Sequence, residues 1–165
     1  MKVVKRNVVK VNNLKDYFVK ELTTEPTMVD VVKEQTIDGN LFRIYCDVVN
    51  DGIDLVVSVW NEQTGVDLGI REYFIPLFND IEKERIKLPN DAIGLAILEC
   101  LNNYGVSFNQ LGDGYISEWI MNDNETQMTK LWFSNDFTYI SLTHKQLEPI
   151  EQTISKETLL DSLGL

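Results

Sequence analysis

The chain has 165 residues, of which 44% are apolar, with 15 basic and 26 acidic side chains and a net charge of −11. This length and apolar fraction suit one domain with its own core and need no disulfide framework, while 7 Phe, 6 Tyr and 3 Trp exclude a mainly disordered acidic chain. No run approaches the roughly 18 apolar residues of a membrane span, and Lys and Asn interrupt the first valines, so no signal-peptide core forms and a cytoplasmic protein is expected.

Charge is laid out unevenly. Lys2, Lys5, Arg6 and Lys10 give the first twelve residues a charge of +4, so residues 13–165 hold 11 bases against 26 acids, or −15. The opening segment is β-branched and reads as a basic edge strand or arm of a single domain covering 1–165. Asn13 then offers an N-cap, and Leu14, Tyr17, Phe18 and Leu22 recur at helical spacing, which predicts a short helix over 14–22. Strands over 28–37 and 41–49 flank Asp38-Gly39, a pair that tolerates the positive φ of a tight hairpin turn. Asn50-Asp51-Gly52 turns into a strand over 53–60, and a loop through Gly65 leads to another that reaches Ile75. Pro76 suits the first turn of a helix over 77–87, whose acids and bases balance.

The strongest helical pattern opens at Pro89-Asn90-Asp91 and runs over 91–104, with Ile93, Ala96, Ile97, Cys100 and Leu101 at steps of three and four and Gly105 at its end. Gly94 lies inside it. Glycine there costs about 1 kcal/mol relative to alanine, so close backbone packing is expected at that point. Strands follow over 115–121, 129–134 and 137–142, then a closing helix over 155–163. These elements predict an α+β domain: a mainly antiparallel sheet of about six to eight strands in two groups, packed with a central helix at 91–104 and shorter N- and C-terminal helices. That order, in a small acidic chain, is similar to the order in bacterial secretion chaperones, a resemblance of fold that no residue motif carries.

The candidate chemistry is sparse. His144 is the only histidine and Ser141 is placed off its face, so no nucleophile and base pair up, and His144 is expected to face solvent at the start of the last helix. Cys46 and Cys100 sit among aliphatic neighbours and read as core residues; 54 positions apart and with one His, they do not make a zinc site. The acids around Asp51 and around Asp123 and Glu125 gather at turns where Asn, Asp and Gly need no metal to explain them. Gly112-Asp113-Gly114 lacks the following helix start of a phosphate cradle and reads as a turn. No metal and no cofactor are expected.

Function is therefore sought in binding. The expected activity is noncatalytic: an acidic protein that binds another protein as inhibitor, adaptor or chaperone, in its sharpest form a decoy for the basic nucleic-acid groove of an enzyme, as phage-encoded anti-defence proteins can be. The net charge disfavours direct contact with nucleic acid or an anionic membrane. The expected contact residues are Asp47, Asp51, Asp54, Asp67, Asp113, Glu118, Asp123 and Glu125, with Tyr115 and Trp119 as aromatic anchors on one strand face. A cation-dependent enzyme built on the acidic turns and a structural component of a larger assembly are the alternatives.

Overall fold

The computed structural model describes residues 10–26 and 31–147, which form twelve strands, one 3₁₀ turn and one α-helix. Strand β1 (Lys10–Asn13) runs into the 3₁₀ turn Leu14–Tyr17 and on into β2 (Phe18–Leu22). Then come β3 (Val31–Ile37), β4 (Asn40–Val49), β5 (Gly52–Asn61) and β6 (Asp67–Pro76). β7 (Lys83–Lys87) precedes helix α1 (Asp91–Asn103). After the helix lie β8 (Phe108–Leu111), β9 (Gly114–Ser117), β10 (Ile120–Met121), β11 (Gln127–Ser134) and β12 (Tyr139–Gln146).

Two sheets result. One is antiparallel in the order β2-β6-β5-β4-β3; the other runs β1-β7-β12-β11-β9-β8, with β10 also on β11. Asp38 and Gly39 take φ of 52° and 79°, and Asn50 and Asp51 take 51° and 57°, so both hairpins close on left-handed turns that Asn, Asp and Gly tolerate. Among the described pairings only β1 with β7 is parallel. Where β9 stops and β10 begins, the Ser117 hydroxyl accepts the Leu131 amide at 2.9 Å, replacing a lost ladder bond.

Alternation places Ile44, Leu55 and Ile75 on the inner face of the five-stranded sheet and Ile86, Leu131, Phe133, Ile140 and Leu142 on that of the seven-stranded one. Helix α1 adds Ala92, Ile93, Ala96, Ile97 and Leu101, and all of these belong to one core cluster. Fully burying each large aliphatic side chain stabilises the fold by about 1.5–3 kcal/mol. The helix packs on β3 and β4. A Cβ at Gly94 would run into the Phe137 carbonyl oxygen and lie 2.9 Å from the Phe137 Cβ, so the expected close packing is met by the β11–β12 turn.

The α+β class holds, but the helices expected over 14–22 and 77–87 do not form. Residues 14–22 form the 3₁₀ turn and β2 instead of a helix, because Phe18 and Lys20 pair with Tyr73 and Glu72 at the sheet edge. Residues 83–87 form β7 rather than the second half of a helix, since Glu84 and Ile86 alternate inward and the strand gains partners on both sides. Without the N-terminal helix, the element order shared with secretion chaperones is lost. The predicted helix at 155–163 and the first nine residues of the basic segment lie outside the described residues, while Lys10–Asn13 form an edge strand.

Candidate protein-binding face of the five-stranded sheet

The outer face of this sheet is set by the residues that alternate with its core positions. Its rows follow from register: Leu41 beside Trp60 and Asp67; Arg43 beside Ser58, Ile70 and Leu22; Tyr45 beside Val56, Glu72 and Lys20; Asp47 beside Asp54 and Phe74. Tyr45, Val56 and Ile70 form a small second apolar cluster there, flanked by Leu22. The chain leaving β2 lays Glu25 across the middle of the face. Its carboxylate accepts hydrogen bonds from Ser58 Oγ at 2.9 Å, Tyr45 Oη at 3.1 Å and Arg43 Nη1 at 3.4 Å. Arg43 Nε donates to Glu34 at 3.1 Å, so one guanidinium is held by two carboxylates, and its pKa rises, first through the Glu34 bond and then through the Glu25 charge. Burial and the Glu25 bond push the Tyr45 phenol up. Beside this cluster opens a cavity of about 480 Å³ between Arg43, Ser58, Trp60 and Asp67, with Trp60 45% exposed at its rim.

Toward the other end of the sheet, charges of one sign are set opposite each other. Asp47 pairs directly with Asp54 across β4 and β5. Burial raises the Asp54 carboxyl above its usual value, and the Glu72 and Asp47 charges add to that, with only Lys20 acting against them. Asp54 Oδ1 is buried without a hydrogen-bond partner. Counting Glu25, Glu34, Asp47, Asp54, Asp67 and Glu72 against Lys20 and Arg43, the face carries six acids and two bases, or −4.

No family model, characterised protein or solved structure matches this chain. The reading of the face therefore rests on geometry. Of the residues expected to bind a partner, the structure gathers Asp47, Asp54 and Asp67 on this face and puts Asp51 on the exposed turn at its end. The others lie on the second sheet. Asp113 is at the β8–β9 turn, where its carbonyl accepts the Asn135 amide; Asp123 and Glu125 are exposed on the β10–β11 turn, at the opposite end of β11. Glu118 and Trp119 occupy the break between β9 and β10, which separates Trp119 from the Tyr115 face. Tyr115 points inward and stacks on Phe137 with ring centres 5.3 Å apart, whereas Trp119 lies under the Lys130 ammonium at 5.0 Å. The acidic turns at Asp51 and Asp123 thus belong to different sheets, and no cluster of three or more metal-binding side chains occurs among the described residues.

His144 is not solvent-facing. It lies on β12, 5% exposed, at one end of the core. Thr129 Oγ1 donates to the Leu77 carbonyl at 2.6 Å, so it accepts from His144 Nδ1 at 2.9 Å, and His144 Nε2 turns to Glu84 Oε2 at 3.5 Å. The other Glu84 oxygen accepts from the Tyr17 hydroxyl and from Asn12 Nδ2. Burial alone would raise the Glu84 carboxyl, but its contacts with His144 and Tyr17 outweigh that and hold it below its usual value. Burial and Glu84 together push Tyr17 strongly up. The network reads as a polar pin joining β7, β11 and β12 to the 3₁₀ turn. Cys46 and Cys100 are buried thiols in contact between β4 and α1, and their mutual hydrogen bond, with burial, pushes Cys46 up.

Sequence reasoning missed Glu25, Arg43, Tyr45, Ser58 and Trp60 as one cluster. The alternation Arg43, Tyr45, Asp47 against Ile44 and Cys46 did mark an outward row. Nothing local marked Glu25 as its cover.

Proposed function

We propose that this chain acts noncatalytically, by binding another protein through the acidic outer face of the five-stranded sheet. The observation that supports this most is the Asp47–Asp54 pair with Glu72 beside it. Like charges directly opposite on neighbouring strands destabilise a sheet, and here one lysine offsets three carboxylates. Cationic side chains of a partner would relieve that repulsion on docking, and Trp60 beside its cavity supplies an aromatic anchor of the kind that concentrates binding energy. In the sharpest form, the partner is a nucleic-acid-handling enzyme whose basic groove the face occupies, as an anti-defence inhibitor in the cytoplasm would require.

The test is affinity capture from the native host with the wild-type chain and with Asp47→Lys/Asp54→Lys, both checked for fold by circular dichroism. A protein retained by the wild type at low salt, lost at high salt and lost in the double variant supports the reading. Equal capture by both chains refutes it. Displacement of the captured protein by duplex DNA distinguishes the decoy from an adaptor.

A further inference from the structure

The outer face of the seven-stranded sheet carries the opposite charge. Alternation turns Lys83, Arg85 and Lys87 of β7, Lys130 of β11 and Lys145 of β12 outward, because Glu84, Ile86, Thr129, Leu131 and His144 point into the core. Glu84 is the one acid in all seven strands, and it is buried, so five cations share a face without an acid. None of the five makes an ion pair among the described residues. Register draws them together from 63 positions of sequence: Lys83 sits beside Thr143 and Lys130, Arg85 beside Ser141 and Trp132, and Lys87 beside Tyr139.

Aromatic rings lie between these charges. The Arg85 guanidinium stacks over Tyr139 at 4.2 Å, and its Nε is buried without a hydrogen-bond partner. The Trp132 indole occupies the space that a Cβ on Gly114 would need, so the ring lies down on the neighbouring strand. Trp119 flanks Lys130. Ser141 and Thr143, between the cations, have hydroxyls with no hydrogen bond among the described residues.

We infer that this face binds single-stranded RNA, with phosphates on the lysines, bases against Trp132 and Tyr139, and ribose hydroxyls met by Ser141 and Thr143. Charge complementarity excludes a basic occupant. The aromatic rings suit unpaired bases, which stack on them, and the free hydroxyls suit the 2′-OH that distinguishes RNA from DNA. The net charge of −11 does not forbid this, because charges more than about 8 Å away are largely screened at physiological salt. The inference is independent of the acidic face and extends the molecule to two binding surfaces.

The experiment is fluorescence anisotropy of the full chain with a labelled oligouridylate of about 20 nucleotides. Binding should weaken by up to about a hundredfold between about 50 and about 200 mM salt if all five cations meet phosphates. Lys130→Glu/Lys145→Glu should lose about tenfold or more, and Trp132→Ala about tenfold. Asp47→Lys/Asp54→Lys, which alters the other sheet, should bind no more weakly than wild type, so failure of the protein-binding proposal and failure of this one are separable. Oligothymidylate of the same length should bind several-fold more weakly. The inference is overturned if oligouridylate shows no salt-dependent binding, if both face variants bind like wild type, if the DNA strand binds as tightly, or if a polyglutamate peptide competes equally well.

Discussion

Gly94→Ala places two effects of known size against each other. In an open helix the change would stabilise by about 1 kcal/mol, the difference in helix propensity. Here the new methyl group would overlap the carbonyl oxygen of Phe137 and come within 2.9 Å of its Cβ. The obstacle is backbone in the tight β11–β12 turn, where Phe137 itself holds a φ of 59°, so it cannot rotate aside as a side-chain tip would. Overpacking of this kind costs about 1–3 kcal/mol. Taking about 3 for a backbone obstacle and subtracting about 1 for propensity leaves a net loss of about 2 kcal/mol. For a chain of this size that corresponds to a fall in Tm of about 4–8 °C. Paired thermal and urea melts of the two proteins measure it, with an unchanged m-value showing that the transition itself is the same. A variant that melts above wild type would show that the helix does not lean on the turn, and the reasoning would fail.

Three further outcomes follow from the buried polar groups. Glu84 is held below its usual pKa, so its contribution is complete above the unfolded value of about 4.3 and is lost as pH falls through the folded one; urea melts from neutral to acid pH should show that decline, and Glu84→Gln should flatten it while lowering neutral-pH stability by about 2 kcal/mol. Asp54 is shifted the other way, so its carboxylate weakens the fold as pH rises through the folded value; Asp54→Asn should raise stability at neutral pH by a few tenths of a kcal/mol after solvent screening, with no gain in acid. Ser117→Ala strips the buried Leu131 amide of its acceptor and should cost about 1–3 kcal/mol by the same melts, with faster amide exchange at Leu131.

Local signals in the sequence located the hairpins and the helix. Asp38-Gly39 and Asn50-Asp51 closed turns where their chemistry put them, and Asn90 caps α1 by accepting the Ile93 amide at 3.1 Å. Where the reading failed, the deciding contact was remote. Glu84 looked like a solvated helix residue because its partner, His144, lies 60 positions away, and with Glu84 counted as outward the alternation of β7 disappears. Leu14, Tyr17, Phe18 and Leu22 have helical spacing, yet Phe18 and Leu22 pair with Tyr73 and Ile70 of β6, about fifty residues on. The candidate faces were less legible still. Asp47 and Asp54 could be placed at one turn, but their pairing with Glu72 and the gathering of Lys83, Lys130 and Lys145 exist only once register is fixed. A net charge averages over both faces and describes neither.

The two sheets also differ in when they can exist. All five strands of the antiparallel sheet come from residues 18–76, so it can assemble as soon as that stretch has left the ribosome. The other sheet must wait: β7 joins it through β12, whose residues 139–146 are the last described strand to be made, and β1 needs β7 in turn. Until then the inner face of the five-stranded sheet is covered by α1 alone, which packs on β3 and β4, and a nascent chain stalled in that interval exposes the rest of that apolar side to water and to chaperones.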